Sequence, residues 1–454
     1  MTAPDATSST GPEAPATSWR DSLAVYLQPR VLIVLFLGFS SGLPLALSGS
    51  TLLVWMREAG VDLKTIGLFA LVGTPYTLKF LWAPLVDALH VPLFTRAFGR
   101  RRGWLLFSQL LLIVAILLLA MTDPARSPFY VALGALLVAT MSSTQDIVVD
   151  AFRVESLPES EQAAGMAAYV AAYRIGMLVS TAGALFIVSG FESTGITRTS
   201  AWMWGYVVMA AMVLIGTITA LAATEPEQSV RAEAATHEET AFTRVLRAAI
   251  GAFSEFLSRK DAIAALAFVV LFKFTDAFSG TMTAPFVIDL GFTRNDYAAI
   301  VKGVGLAATL IGGFAGGFVA RRYSLATSLW IGGVVQALAN LTFSWLALVG
   351  TNQWALALAI CAENFTSAVG TVIFVAYLSA LCQNPLHTAT QYALLTALAA
   401  VGRTYLSSGA GFVADTTGWP LFFVICVLVA IPSLVLLVWL QKRGHFEALG
   451  PVRI

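Results

Sequence analysis

Apolar residues run through this chain in stretches too long for strands and too uniform for one face of a soluble helix. Crossing a bilayer takes about 20 mainly apolar residues. Runs of that length recur near 31–56, 65–90, 103–122, 128–152, 164–190, 200–222, 263–289, 297–319, 325–349, 354–380, 391–414 and 419–441. They predict an all-α integral membrane protein with twelve transmembrane helices. The single long polar stretch, Thr224 to Asp261, falls between the sixth and seventh runs. It divides the chain into a six-helix bundle at 31–222, a linker at 223–262 and a second six-helix bundle at 263–441. Residues 1–30 are rich in Ala, Pro, Ser and Thr and lack apolar clusters, so they read as a disordered tail. Residues 442–454 form a second tail. The first apolar run begins at Val31 and is long enough to span, which reads as an uncleaved targeting helix, not a cleavable signal.

Composition narrows the class. Of 454 residues, 57% are hydrophobic and 12% charged, against roughly 25% charged in soluble domains. A net charge of +1 argues against a nucleic-acid partner. Cys361, Cys382 and Cys426 lie in or beside apolar runs without ligand spacing, so no disulfide framework, metal or other cofactor is implied. Lys and Arg concentrate in the tails, the linker and the even-numbered loops, among them Arg96, Arg100, Arg101, Arg102, Arg321, Arg322, Lys442 and Arg443. The odd loops hold only Arg57, Lys64, Arg126, Arg198 and Arg294. Basic residues stay inside, which predicts both termini and the linker in the cytoplasm. Six plus six helices around a charged linker resembles the major facilitator superfamily, whose halves rock around a midplane site.

Charges inside the apolar runs carry the candidate chemistry. Each costs about 3 kcal/mol at mid-membrane even on insertion scales, and such residues usually mark a substrate or ion path. The acids are Asp146, Asp150, Asp276 and Glu363; the bases are Lys79, Arg174, Lys273, Lys302 and Arg403. Asp146, Asp150 and Arg153 stand at i, i+4 and i+7 on one helical stripe, although Asp150 and Arg153 could simply cap a helix end. A carboxylate whose cationic partner leaves on substrate binding can exchange its proton near neutral pH. Asp146 is therefore the candidate proton carrier, with Asp150 second. Lys273 and Asp276, at i and i+3, could neutralise one another. Lys79 has no acid one turn away, and Pro75 and Pro84 interrupt its helix.

Lys79, Arg174 and Arg403 are the candidate contacts for a substrate carboxylate, since a guanidinium holds such a group bidentately. An interhelical salt bridge is the plain alternative for each. Trp82, Gln145 and Asn364 join them because each lies beside or one turn from an intramembrane charge, and Lys273, Asp276 and Glu363 complete the set. Lys302 has no assigned role. Asp87, Arg100, Arg101 and Arg153 are expected to act in gating. Trp55, Trp202, Trp204, Trp354 and Trp419 sit at helix ends and predict interfacial belts. Gly312-Gly-Phe-Ala-Gly-Gly317 would let backbones approach closely, for sliding or for tight packing.

Several strings resemble the AmpG-type muropeptide permeases. They are Gly49-Ser-Thr-Leu-Leu-Val-Trp-Met-Arg-Glu-Ala-Gly-Val-Asp-Leu-Lys-Thr-Ile-Gly67, Lys79-Phe-Leu-Trp-Ala-Pro-Leu-Val-Asp87, Gly99-Arg-Arg-Arg-Gly-Trp104, Ser143-Thr-Gln-Asp-Ile-Val-Val-Asp150 and Tyr173-Arg-Ile-Gly-Met-Leu-Val-Ser180. In the second half, Phe272-Lys-Phe-Thr-Asp-Ala-Phe-Ser-Gly280 and Gln391-Tyr-Ala-Leu-Leu-Thr-Ala-Leu-Ala-Ala-Val-Gly-Arg403 follow in the same order. The likeness covers about 31 to 440. It implies a multi-pass inner-membrane carrier, expected as a monomer in lipid, that imports N-acetylglucosaminyl-1,6-anhydro-N-acetylmuramic acid with or without a stem peptide. Protons would drive uptake, and the fragments would be recycled or signal β-lactamase induction. The chain departs from the family at Asp87-Ala88, where members often have Asp-Arg, and in ending after the twelfth helix. A sister branch resembles acetyl-coenzyme A transporters and shares the Asp146 motif, so another bulky anion is the alternative cargo. A membrane enzyme or a receptor without transport is the alternative of another class. His90, at the very end of the second run, and His237, His387 and His445 are expected in cytoplasmic loops or tails and not within the membrane, and no nucleophile elbow is visible.

Overall fold

A computed structural model of the protein describes residues 24–226, 257–258, 260–381 and 388–449. Most of the expected linker, including His237, and the pair Cys382 and His387 lie outside the described residues. Ten helices among those described are long and apolar enough to cross a membrane. In chain order they are α1 (Pro29–Glu58), α3 (Arg100–Ala120), α4 (Pro128–Ser156), α5 (Ala164–Ser193), α6 (Arg198–Ala222), α7 (Ala262–Asp289), α8 (Arg294–Arg322), α9 (Leu325–Val349), α10 (Gln353–Leu381) and α12 (Trp419–Lys442). The two remaining expected spans are helical but broken. α2 runs through Leu63–Leu68, Thr74–Leu78 and Ala83–Ala88 with tight 3-10 turns between. α11 runs through Thr388–Val401 and Ala410–Thr417 with irregular turns between.

The breaks in α2 follow from sequence. Pro75 and Pro84 start new helical pieces, because proline lacks the N–H that would continue the preceding ladder. The loop before α2 is stopped by Asp62, whose carboxylate accepts from the Thr65 N–H at 2.9 Å. That backbone hydrogen bond, with the one from the Thr65 hydroxyl, holds the Asp62 carboxyl below its ordinary range despite slight burial. The N-cap therefore stays charged at neutral pH.

Glycines set how closely the helices pack. A Cβ on Gly42 of α1 would collide with the Tyr173 carbonyl of α5, and one on Gly176 of α5 with the Phe39 carbonyl of α1. Gly67 of α2 and Gly411 of α11 back onto one another in the same way, and Thr77 and Thr404 bond across this contact at 3.1 Å. In α8 the glycine run divides by face. Gly312 and Gly316 press on the Phe365 and Val369 backbone of α10, while Gly313 and Gly317 have open space. Filling the packed face should push α8 from α10, and overpacking of this kind costs about 1–3 kcal/mol. Gly312→Val should accordingly lower the thermal unfolding midpoint in detergent, and Gly313→Val should leave it unchanged.

Two expected belt residues are core instead. Trp55 and Trp202 are buried and stack at 5.5 Å between centroids, with Tyr206 beside them. The Trp202 indole donates to Glu58 at 3.1 Å, so a buried polar partner holds it inside. Trp204 and Trp354 are exposed as expected. Trp419 donates to Asp289 at 3.1 Å.

Candidate functional site

A cavity of about 560 Å³ lies between α1, α2 and α5 on one side and α7, α8, α10 and α11 on the other. Several of these helices lose regularity where they line it, whereas α7 and α10 run past it unbroken. α1 kinks at Gly49 within a wide turn over Leu47–Thr51. Similar wide turns occupy Val179–Gly183 of α5, Tyr297–Val304 of α8 and Gly402–Leu406 of α11. Each contributes lining residues: Ser48 and Gly49, Thr181, Tyr297 and Lys302, and Arg403. Single-turn insertions of this type cluster at functional sites, and irregular backbone at membrane depth is tolerated where it lines a cavity.

Four residues expected at the site, Arg174, Glu363, Asn364 and Arg403, line this cavity. Asn364 orients the acid, donating to Glu363 at 2.9 Å and accepting from the Thr309 hydroxyl at 3.2 Å. Lys302, which sequence reasoning left without a role, lines the same cavity. It stands at i relative to Leu306 at i+4 and Thr309 at i+7, so one stripe of α8 faces the space.

Other expected residues gather elsewhere. Asp146 is buried and accepts a short hydrogen bond from the Ser41 hydroxyl of α1. Gln145 is fully buried beside it, 3.5 Å from the Ser40 hydroxyl, and Trp82 donates to Thr144 at 3.2 Å. Lys79 lies within electrostatic range of both Asp146 and Asp150, and Arg153 reaches Asp150 at 3.9 Å. These residues form an acidic centre inside the first half, next to the cavity but not among its lining residues. Tyr76, Tyr169 and Tyr173 lie within electrostatic range of Asp146, and Tyr76 also lines the cavity.

Lys273 and Asp276 pair at 3.2 Å and are tied to α10, Lys273 through Thr371 at 2.7 Å and Asp276 through Ser367 at 2.8 Å. Removing one partner of such a pair leaves an uncompensated charge, which costs about 3–5 kcal/mol. Lys273→Met should therefore lower thermal stability sharply, and the double variant Lys273→Met/Asp276→Leu should recover much of it. Thermal unfolding of the purified variants checks both.

On the face carrying the basic loops, Arg101 binds Glu155 at 2.5 Å and its backbone N–H donates to Glu225 at 2.8 Å. Arg100 lies in the same turn at the start of α3. The side chain of Asp87 lies outside the described residues. Sequence reasoning missed an ion-pair cluster on the opposite face. Arg57 at the end of α1 reaches Asp289 at the end of α7, with one contact at 2.8 Å. Arg294, only 6% exposed, pairs with Glu58 of α1 at 2.6 Å and Glu192 of α5 at 2.8 Å. Lys64 pairs with Asp415 at 3.2 Å. Each contact joins the two halves, so this face is closed above the cavity. The sequence held no local signal of it, since Arg57 and Asp289 stand 232 positions apart.

Broken helices converging on a charged cavity between two helical halves define a solute transporter of the membrane. The chain matches the family model of the Major Facilitator Superfamily over residues 34–405. It is 38% identical over 416 residues to the anhydromuropeptide permease of Escherichia coli (strain K12), covering 91% of this chain and 80% of that protein. Its fold is similar to the nucleoside transporter NupG, with a TM-score of 0.69 at 13% identity over 93% of this chain and 100% of NupG. The inward-open xylose transporter XylE from E. coli gives a TM-score of 0.61 at 12% identity, over 89% and 94% of the two chains. The chain belongs to the Major Facilitator Superfamily and, within it, to the AmpG-type permeases. It is a multi-pass membrane transporter and not an enzyme.

Proposed function

We propose that the protein imports anhydromuropeptides, peptidoglycan fragments built on 1,6-anhydro-N-acetylmuramic acid, across the bacterial inner membrane in symport with protons. Its relation to the E. coli permease supplies the substrate class. The observation that carries the reading is the cavity itself. Arg174, Lys302 and Arg403 line it, and among the described residues none has a carboxylate within salt-bridge distance. Arg174 and Arg403 are exposed to this space and Lys302 is half-buried; cations at membrane depth mark a substrate path, and an anionic cargo would supply the missing charge.

In this reading Asp146 carries the proton and Asp150 assists. Asp146 combines burial, a hydroxyl partner and proximity to Lys79, which suits a carboxylate that alternates between states. Arg174 and Arg403 hold substrate carboxylates, while Lys79, Trp82 and Gln145 shape the acidic centre. Lys273 and Asp276 join α7 to α10. The basic face is cytoplasmic, following the loop charges, and the closed face is periplasmic. Arg101, with its partner Glu155, and Arg100, Arg153 and Asp87 govern opening toward the cytoplasm. The imported fragments feed cell-wall recycling and, where the host has the circuit, β-lactamase induction. The protein works as a monomer.

Counterflow in proteoliposomes tests the substrate class. Labelled N-acetylglucosaminyl-anhydromuramyl-tripeptide should exchange against the same compound inside, and acetyl-coenzyme A should not compete. Exchange of acetyl-coenzyme A alone would overturn the reading in favour of another bulky anion.

A further inference from the structure

The proposed cargo comes in forms that differ in charge, and the cavity has a charge pattern of its own. Its ionisable lining, apart from Tyr76 and Tyr297, consists of Arg174, Lys302, Arg403 and Glu363. That is three cations against one carboxylate. They are divided between the halves. Arg174 stands on α5, while Lys302, Glu363 and Arg403 stand on α8, α10 and α11. Lys302 has no anionic partner within 4.0 Å among the described residues; its ammonium lies over the Tyr297 ring, 5.4 Å from the centroid. Glu363 likewise has no cation within 4.0 Å among the described residues. It accepts from the amide of Asn364, which Thr309 fixes in turn. Glu363 lies within electrostatic range of Asp276, Lys302 and Lys273, of which only Lys302 shares the cavity lining. The second half therefore presents a positive and a negative group close together, each without a direct ion pair.

A sugar with a single carboxylate would occupy one cation and leave Glu363 and two cations unmatched. Uncompensated charges at low dielectric weigh against such a complex. A ligand carrying several carboxylates and one ammonium group would match all four. We infer that the cavity selects the peptide-bearing form of its substrate, an acidic stem peptide with one free amine, and that Lys302 and Glu363 read the peptide end. Lys302 takes a peptide carboxylate and Glu363 takes the ammonium. Arg174 and Arg403 take the remaining carboxylates across the junction of the halves. This rests on the muropeptide reading above and names the form of substrate that reading leaves open.

Binding to the purified full-length protein in lipid nanodiscs, by titration calorimetry, tests it with three probes. They are the anhydro-disaccharide alone, the disaccharide-tripeptide with a free side-chain amine, and the same tripeptide with that amine acetylated. The wild-type protein should bind the free-amine tripeptide at least about tenfold more tightly than either other probe, the scale of one charge pair. Glu363→Gln should abolish the difference between the free and acetylated tripeptides. Lys302→Gln should weaken both tripeptides by a clearly larger factor than it weakens the disaccharide, a split that general damage to the fold would not produce. Equal wild-type affinity for all three probes overturns the inference while keeping the muropeptide reading. So does a Lys302→Gln variant that weakens every probe by the same factor. No binding of any probe by folded protein overturns both.

Discussion

Arg294→Met is expected to open the face that the ion pairs close. Arg294 is buried between Glu58 and Glu192, with its guanidinium 5.5 Å over the Trp202 ring. One side chain of the second half thus neutralises two carboxylates of the first. Methionine keeps the length and removes the charge, leaving Glu58 with only the Trp202 indole and Glu192 with only the exposed Arg198 at 3.4 Å. Breaking a buried pair costs about 3–5 kcal/mol, and here much of it falls on the closed state alone, because separation of the halves returns both acids to water. Each 1.4 kcal/mol shifts an equilibrium about tenfold, so the closed state should lose its dominance. A single cysteine at Thr283, which lines the cavity, reports this in a cysteine-free background. An impermeant maleimide added from the closed face should label it slowly in the native context and at least about tenfold faster with Arg294→Met. Equal labelling would show that the cluster does not hold the halves together.

Asp146→Asn should separate transport from its driving force. The carboxylate accepts from Ser41 on α1, within electrostatic range of Lys79 on α2 and Asp150 one turn away on α4. The amide keeps the shape and can still hydrogen-bond with Ser41, but it cannot exchange a proton. The cavity and its cations are untouched, so substrate should still bind and exchange. Gradient-driven accumulation in proteoliposomes should fall to the level of equilibration, while counterflow stays within severalfold of native. Loss of counterflow as well would make Asp146 a structural or substrate-binding residue. Undiminished accumulation would assign proton coupling to another group.

Much of this architecture is legible because hydropathy is a local property. The runs at 128–152, 263–289 and 325–349 correspond to the observed Pro128–Ser156, Ala262–Asp289 and Leu325–Val349. Pro75 and Pro84 announced the breaks in α2. The intramembrane charges were legible too, since their cost at membrane depth does not depend on the fold. Their partners were not. Lys273 and Asp276 pair locally and could be foreseen, whereas the Asp146 contact with Ser41 spans 105 positions and Arg294 with Glu58 spans 236. Trp55 and Trp202 read as belt residues because each ends an apolar run, and only the packing of α1 on α6 buries them. The wide turns of α1, α5, α8 and α11 have no sequence signature, as they arise where backbone yields to the cavity. Lys302 sits in one of them. Its meaning emerged only once Arg174, Glu363 and Arg403 were found around the same space.

The most direct test of the central claim is the movement of protons with cargo. Purified protein in liposomes loaded with a pH-sensitive dye, with no imposed gradient, is given anhydromuramyl-tripeptide outside. The account predicts acidification of the lumen on substrate addition, at a rate proportional to labelled uptake and absent with Asp146→Asn. Substrate entry with no change in lumenal pH would contradict it, leaving a carrier that binds this cargo but is not driven by protons.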